Sequence, residues 1–261
     1  MDRRRAWTHA AAGLFAVLLL YPLAGLWAPV GRWQWSGEAG ATAAAAIRVS
    51  LGLTAAAMAI VVAIGTPAAL YIRRLRGAAR AWWQAALLVS ILIPSLALGI
   101  LLALALRPES GVGALLARLG METSNSGAAF VLTQVYVSIG YYVLGALVAL
   151  EAVPQRLEQQ AALLGLRPAQ VFWRVTLPLA RLGLAAALGF AWVRAIGEFG
   201  AVVITAYYPA GMPVQLWVDL ESRGLPAVMP LLLAFLLAAL PVPMLLHFLA
   251  RRSLAGKATD A

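Results

Sequence analysis

Arg194 and Glu198 are the charged residues of this chain best placed to do chemistry, because they stand four residues apart inside an otherwise apolar run. On a helix that spacing puts a guanidinium and a carboxylate on one face, within reach of each other. A charge at mid-membrane costs at least ~2.5–3.5 kcal/mol on insertion scales, so the pair should face protein or water and not lipid. Two roles fit it: the gate or lining of a translocation path, or an intrahelical ion pair that locks packing. On a path, the guanidinium would attract an oxyanion and the carboxylate would keep that attraction too weak to trap it. Bond-making chemistry has little to work with. The chain has no cysteine, which excludes disulfides, thiol catalysis and Cys-based metal sites. His9 and His247 stand near opposite ends and supply no metal cluster. No second carboxylate, histidine or cysteine shares the spans of Glu198, so an intramembrane enzyme would lack its catalytic set.

A second stretch, Glu151 to Pro178, reads EAVPQRLEQQAALLGLRPAQVFWRVTLP and is the longest interruption between apolar spans on the arginine-rich side. Leu157, Ala161 and Leu164 recur at helical spacing, which predicts a short helix with one apolar edge and Arg156, Gln159 and Gln160 off it. Gly165 is placed as a C′ residue, where positive φ carries no Cβ penalty, and Pro168 suits the first turn of a second helix. Two short helices and a turn, held at a membrane surface, make a knob shaped to fit a groove in a partner. The alternative is an amphipathic loop that only lies on the membrane.

The elements that must position these residues follow from composition. With 63% hydrophobic and 11% charged residues over 261 positions, the chain is no ordinary soluble domain. Apolar runs near the ~20 residues needed to cross a bilayer predict six spans, at about 10–30, 49–72, 82–106, 128–150, 179–206 and 227–249. The first is long for a signal-peptide core and no clear cleavage site follows it, so a retained helix is expected. Pro94 should kink the third span or end a regular segment. The ALLARL portion of the connection after it suits a short surface helix. In the fifth, Gly183, Ala187, Ala191 and Ala195 form a stripe of small residues that allows close helix approach. Tyr141 and Tyr142 read as packing residues, and Trp33, Trp35, Trp82, Trp83 and Trp217 as interface anchors.

The net charge of +10 raises nucleic acid as a partner, but the basic residues are scattered at span ends and form no single patch. They are explained by orientation. With the N-terminus inside, fourteen fall in inner segments: Arg3, Arg4, Arg5, Arg73, Arg74, Arg76, Arg80, Arg156, Arg167, Arg174, Arg181, Arg251, Arg252 and Lys257. Four fall outside: Arg32, Arg107, Arg118 and Arg223. The positive-inside preference therefore predicts that both termini and the 151–178 loop are cytoplasmic. Contacts to anionic membrane lipid are a secondary role for the inner arginines. No second domain is expected within 1–261. No GxxxxGK[ST] phosphate loop occurs, so any ATP hydrolysis must happen on a partner.

The loop resembles the cytoplasmic loop of permease subunits of binding-protein-dependent ABC importers. That loop has the form Glu-Ala-Ala, three residues, Gly, nine residues, Ile, one residue, Leu-Pro. Gly165 is followed here by nine residues and then by Val175, Thr176, Leu177 and Pro178. Counting back, the Glu-Ala-Ala positions are Gln159, Gln160 and Ala161, with Glu158 one place early. The spacing matches in full, and the acidic position is displaced or lost. The run RAIGEFGAVVIT, from Arg194 to Thr205, is similar to the fifth span of molybdate, tungstate and sulfate permeases. The segment AYYPAGMPVQLWVDLESRGLPAVMP after it is most similar to the molybdate/tungstate branch.

The resemblance implies an all-helical fold like a type I ABC importer permease, in the cell membrane of a prokaryote. It implies a transport subunit and not an enzyme, one that works as a homodimer with two cytoplasmic ATPase subunits and an extracytoplasmic oxyanion-binding protein. ATP and Mg would belong to the ATPase, with no cofactor in this chain. Glu158, Gln159, Gln160, Ala161, Gly165, Leu177 and Pro178 would couple to the ATPase, and Arg194 and Glu198 would line or gate the path. Sulfate or thiosulfate permeases remain the alternative within ABC transport, and a proton- or sodium-driven carrier the alternative outside it.

Overall fold

The computed structural model describes residues 3–27, 33, 37–239 and 244, and the side chains of 7–27, 33, 37–239 and 244. The described residues form helices and turns without a strand. Twelve α-helices run in order: α1 Arg3–Leu20, α2 Gly37–Arg74, α3 Gly77–Leu92, α4 Ser95–Ala105, α5 Gly111–Arg118, α6 Gly127–Glu151, α7 Gln155–Leu163, α8 Pro168–Val171, α9 Leu177–Ile196, α10 Val202–Thr205, α11 Met212–Arg223 and α12 Leu225–Ala239. Four helical segments are long and apolar enough to cross a membrane: Trp7–Trp27, Gly37–Arg74, Gly127–Glu151 and Pro168–Ile196. The pair α3 and α4 makes a fifth if it is counted as one broken span. The sixth expected span begins as α12, and most of its remainder to residue 249 lies outside the described residues. So do Trp35, Arg32, Arg251, Arg252 and Lys257.

The core lies where α6 is sandwiched between α2 and α9. Ala57, Val61, Ala69, Ala146, Leu150, Ala187 and Ala191 are buried there in one apolar cluster. The small-residue stripe explains how close the helices come. A Cβ on Gly183 would lie 2.5 Å from Ala149 Cβ, and one on Gly145 would lie 2.8 Å from Ala187 Cβ. Both contacts are impossible for real side chains, so the α6–α9 interface depends on small residues at these positions. The stripe is thus consumed within the chain, against α6.

Three features differ from the sequence expectation. Helix α2 begins at Gly37, some way before the expected start of span two, because the alanine-rich approach is itself strongly helix-forming. The polar connection after Tyr207 is largely helical, as α11, with Pro213 in its first turn and Gly224 closing it at φ 77°. The expected continuous fifth span to residue 206 is interrupted. Helix α9 ends at Ile196 and the chain turns through Gly197–Ala201 before α10. Two other expectations are met among the described residues. Pro94 ends α3, with Ile93 pushed to extended backbone ahead of the proline, and α3 and α4 meet at 108°. The ALLARL portion lies in α5 up to Arg118, with Leu119 as its C-cap.

Candidate functional site: the surface loop and the charged junction

The segment between α6 and α9 forms the knob that its spacing predicts. Helix α7 stops in a Schellman motif, with Gly165 N–H donating to Ala162 O at 2.9 Å and Leu166 N–H to Ala161 O at 3.2 Å. Gly165 sits at φ 86°, the left-handed geometry expected of it. Pro168 opens α8, and Arg167 N–H is satisfied by Gln170 Oε1 at 2.9 Å. A π-helical turn over Phe172–Thr176 then feeds α9, because Leu177 N–H reaches back to Phe172 O and Pro178 has no N–H to continue the ladder.

The knob is clamped from the α2 side. Arg73, near the end of α2, donates through both terminal nitrogens to Glu158, at 2.9 and 3.0 Å. Thr176 donates to the same carboxylate at 2.6 Å, and Arg73 also touches Val153 O at 3.4 Å. Arg80 of α3 pairs with Glu151 at 2.6 Å. Buried Ala161, Val153 and Val171 seat the loop on the helices. The displaced acidic residue therefore faces inward and ties three segments together.

Burial by itself would raise the Glu158 carboxyl. Hydrogen bonds from Arg73 and Thr176, with the charges of Arg73 and Arg74, outweigh it and hold the group below its ordinary 4.5. A carboxyl depressed in the folded state contributes stability that is complete above its ordinary value and lost as the pH falls through the lower folded-state value. Glu158→Gln is expected to lower stability at neutral pH by on the order of 1–3 kcal/mol, and to flatten the loss of thermal stability between about pH 5 and pH 3. Equal acid sensitivity of both proteins in a thermal melt would show that the clamp does not titrate.

The predicted loop residues separate by the direction they face. Gln159 and Gln160 are exposed, and Gly165 is an exposed turn. Ala161 is buried, Leu177 is half-buried, and Pro178 is exposed at the start of α9, back from the tip. The apolar edge of α7 is not as its spacing suggests. Of Leu157, Ala161 and Leu164 only Ala161 is buried, and Leu164 is 85% exposed because α7 ends before it. Leu163 and Leu164, both nearly fully exposed, form the apolar tip of the knob. The signal for them was two consecutive leucines before a turn glycine, which cannot both face a core.

The second site is the junction of two helix breaks. Arg194 leaves the last turn of α9 and pairs with Glu198, which lies beyond the end of α9 in the Gly197–Ala201 turn and not on a continuous helix. The shared helical face expected of the two residues is corrected accordingly. Their contact survives because the turn folds Glu198 back toward α9. Glu198 is 2% exposed and also accepts from Ser95 Oγ at 3.2 Å and from Ala201 N–H at 2.7 Å. Ser95 begins α4, and its hydroxyl in turn accepts from Arg194 at 3.2 Å. A Cβ on Gly200 would lie 2.9 Å from Ser95 Cβ, so the glycine lets the two breaks touch. Tyr141 lies under the Arg194 guanidinium, 5.8 Å from ring centroid to Cζ, a role beyond the packing expected of it. Tyr142 is a buried packing residue, hydrogen-bonded to Thr66 at 2.7 Å.

Chemically, the junction holds a buried carboxylate and a guanidinium whose side chain is 24% exposed, where the start of α4 meets the end of α9. Among the described residues no group of three or more His, Asp or Glu side chains could hold a metal ion.

Comparison with known proteins adds three findings. Residues 61–254 match the family described as the binding-protein-dependent transport system inner membrane component. A probable molybdenum ABC transporter permease of Haloferax volcanii is 33% identical over 93% of this chain and 90% of its own length. A molybdate/tungstate transport system permease of Pyrococcus furiosus is 28% identical over 97% of this chain and 98% of its own. Among solved structures, a bacterial ABC transporter that imports alginate superposes with a TM-score of 0.70 at 18% identity, covering 95% of this chain and 96% of its own, a likeness of fold.

Proposed function

This chain belongs to the binding-protein-dependent transport system inner membrane components, and on that premise we propose that it is the transmembrane subunit through which an ABC importer moves molybdate or tungstate into the cell. It is a transport component and not an enzyme, as its relatives are. The observation that carries the coupling half of the reading is the knob between α6 and α9. Its exposed leucine tip gives an ATPase groove something apolar to hold, and the Glu158–Arg73 clamp passes any push on it directly to α2. The anion half rests on the relatives' names and on the GEFGA run, and Arg194 supplies the chemistry that would attract an oxyanion.

In this reading residues 1–261 form one transmembrane domain with both termini and the knob cytoplasmic. Two copies meet around a two-fold axis, since one subunit offers half of a pathway. Gln159, Gln160, Leu163, Leu164 and the Gly165 turn contact one ATPase, where ATP and Mg bind, while Glu158, Ala161, Leu177 and Pro178 hold the contact in place. Arg194 and Glu198 gate the path at the junction of α4 and α9. An extracytoplasmic binding protein delivers the anion, and closure of the ATPases moves the knobs and reverses the gate.

The test is uptake into vesicles holding this chain, its ATPase and its binding protein. Molybdate or tungstate is expected to accumulate only with ATP inside the ATPase compartment. Uptake driven by a proton or sodium gradient without ATP would overturn the coupling, and sulfate uptake at a matching rate would overturn the choice of anion.

A further inference from the structure

We propose that the arginine-rich end of this chain holds one anionic phospholipid, its headgroup phosphate at Arg74 and Arg76 and an acyl chain along an adjoining apolar groove. The proposal rests on the reading that this end faces the inner leaflet, and not on which anion is carried. A cavity of about 640 Å³ opens between the end of α2, the start of α3 and the knob, with Arg73, Arg74, Arg76 and Arg80 on its wall. Two of these are already committed, Arg73 to Glu158 and Arg80 to Glu151. Arg74 and Arg76 make no ion pair among the described residues, although the charge of Arg74 also acts on Glu158, so the cavity keeps a net positive charge that suits an anion from outside.

Leu70 and Phe172 line this cavity and also a second one, a groove of about 470 Å³ walled by Val62, Pro67, Trp173 and Leu188. The groove is apolar over almost its whole wall and runs along the α2–α9 side, between two helices long enough to span a membrane. A cationic pocket that shares two wall residues with an apolar groove matches a molecule with a phosphate at one end and a hydrocarbon chain at the other. A free phosphate would use only the first part and a neutral lipid only the second. The level is right as well. Tyr71, Trp82 and Trp83 pack edge to face at 6.3 and 5.0 Å beside the arginines and are exposed, as aromatic residues at a headgroup layer are. Phe172 and Trp173 belong to the π turn that joins the knob to α9, so a bound lipid would brace that joint.

The test uses the chain purified with its ATPase in neutral detergent, with dioleoyl phosphatidylglycerol, dioleoyl phosphatidylcholine or glycerol 3-phosphate added, and reads lipid retained by native mass spectrometry. Phosphatidylglycerol is expected to be retained on the order of tenfold more strongly than phosphatidylcholine. The preference is expected to vanish in the Arg74→Gln/Arg76→Gln double variant. Ala185→Phe, which fills the groove far from the arginines, is expected to weaken retention of both lipids. Equal retention of the two lipids by the native chain overturns the proposal, as does a preference that survives the double variant. Competition by glycerol 3-phosphate at equal concentration would reduce the site to a phosphate pocket. Loss of the ATPase from the double variant, with normal lipid preference in the native complex and none lost in Ala185→Phe, would assign the arginines to the ATPase contact instead. Transport failing while this lipid preference holds would count against the proposed function alone.

Discussion

Arg194→Ala is expected to destabilise the folded chain by about 3–5 kcal/mol, and Glu198→Ala by less, because the first strands a buried carboxylate and the second a guanidinium that is 24% exposed. Glu198 is the more deeply buried, so Arg194→Ala strands a carboxylate whose remaining donors are Ser95 Oγ and Ala201 N–H. The double variant removes both charges and is expected to cost much less than the two single effects added. It should still fall short of the native protein by about 1–3 kcal/mol, because Ala201 N–H and Ser95 lose an acceptor that no neighbour replaces. The measurement is a double-mutant cycle on thermal or denaturant unfolding in detergent. Additive single effects would show that the two residues do not act as a unit. Glu198→Gln separates gating from support. It keeps an acceptor for Ala201 N–H, with an amide nitrogen in place of the oxygen that Ser95 and Arg194 share, and is expected to assemble, yet to slow uptake because Arg194 then holds an oxyanion without competition. Normal transport by the double Ala variant would remove both residues from the gate.

Gly165→Val is expected to leave an inserted, assembled permease that no longer stimulates ATP hydrolysis when loaded binding protein is added. A Cβ at this position would meet no atom within 4 Å, so crowding plays no part and the whole cost is conformational. A β-branched residue at φ 86° carries about 1–3 kcal/mol of strain, which the Schellman turn can relieve only by opening. Opening it turns Leu163 and Leu164 away from the direction in which the turn presents them. The order of defects should follow tolerance of left-handed backbone, with asparagine mildest, alanine intermediate and valine worst. Stimulated hydrolysis at the native level in Gly165→Val would show that coupling runs elsewhere.

Much of the knob was legible because its determinants are local. A glycine after nine helical residues and a proline three positions later encode one turn geometry, whatever the rest of the chain does. Span three was legible for the same reason: Pro94 restricts Ile93 and removes a donor in any context. The direction of Glu158 was not legible, since it depends on Arg73, eighty-five residues earlier, arriving beneath the loop. Leu164 was misassigned to a buried edge because period alone does not say where a helix stops. The Arg194–Glu198 contact was expected from an unbroken helix, and it forms although the helix ends between the two residues.

Apolar run lengths, the small-residue stripe, the loop spacing and the excess of arginine at one set of span ends were determined by the sequence by itself. Each is a statement about neighbours along the chain or about transfer between water and lipid, and neither needs a fold. The tertiary structure alone decided which face each polar group turns. The GEFG run, whose two glycines already disfavour a helix, breaks here with the Glu198 carboxylate held by Ser95 and the Ala201 N–H. Helix breaks in a membrane persist only where another segment satisfies the freed polar groups. That segment is α4, whose Ser95 stands 103 residues before Glu198, and only packing brings it there.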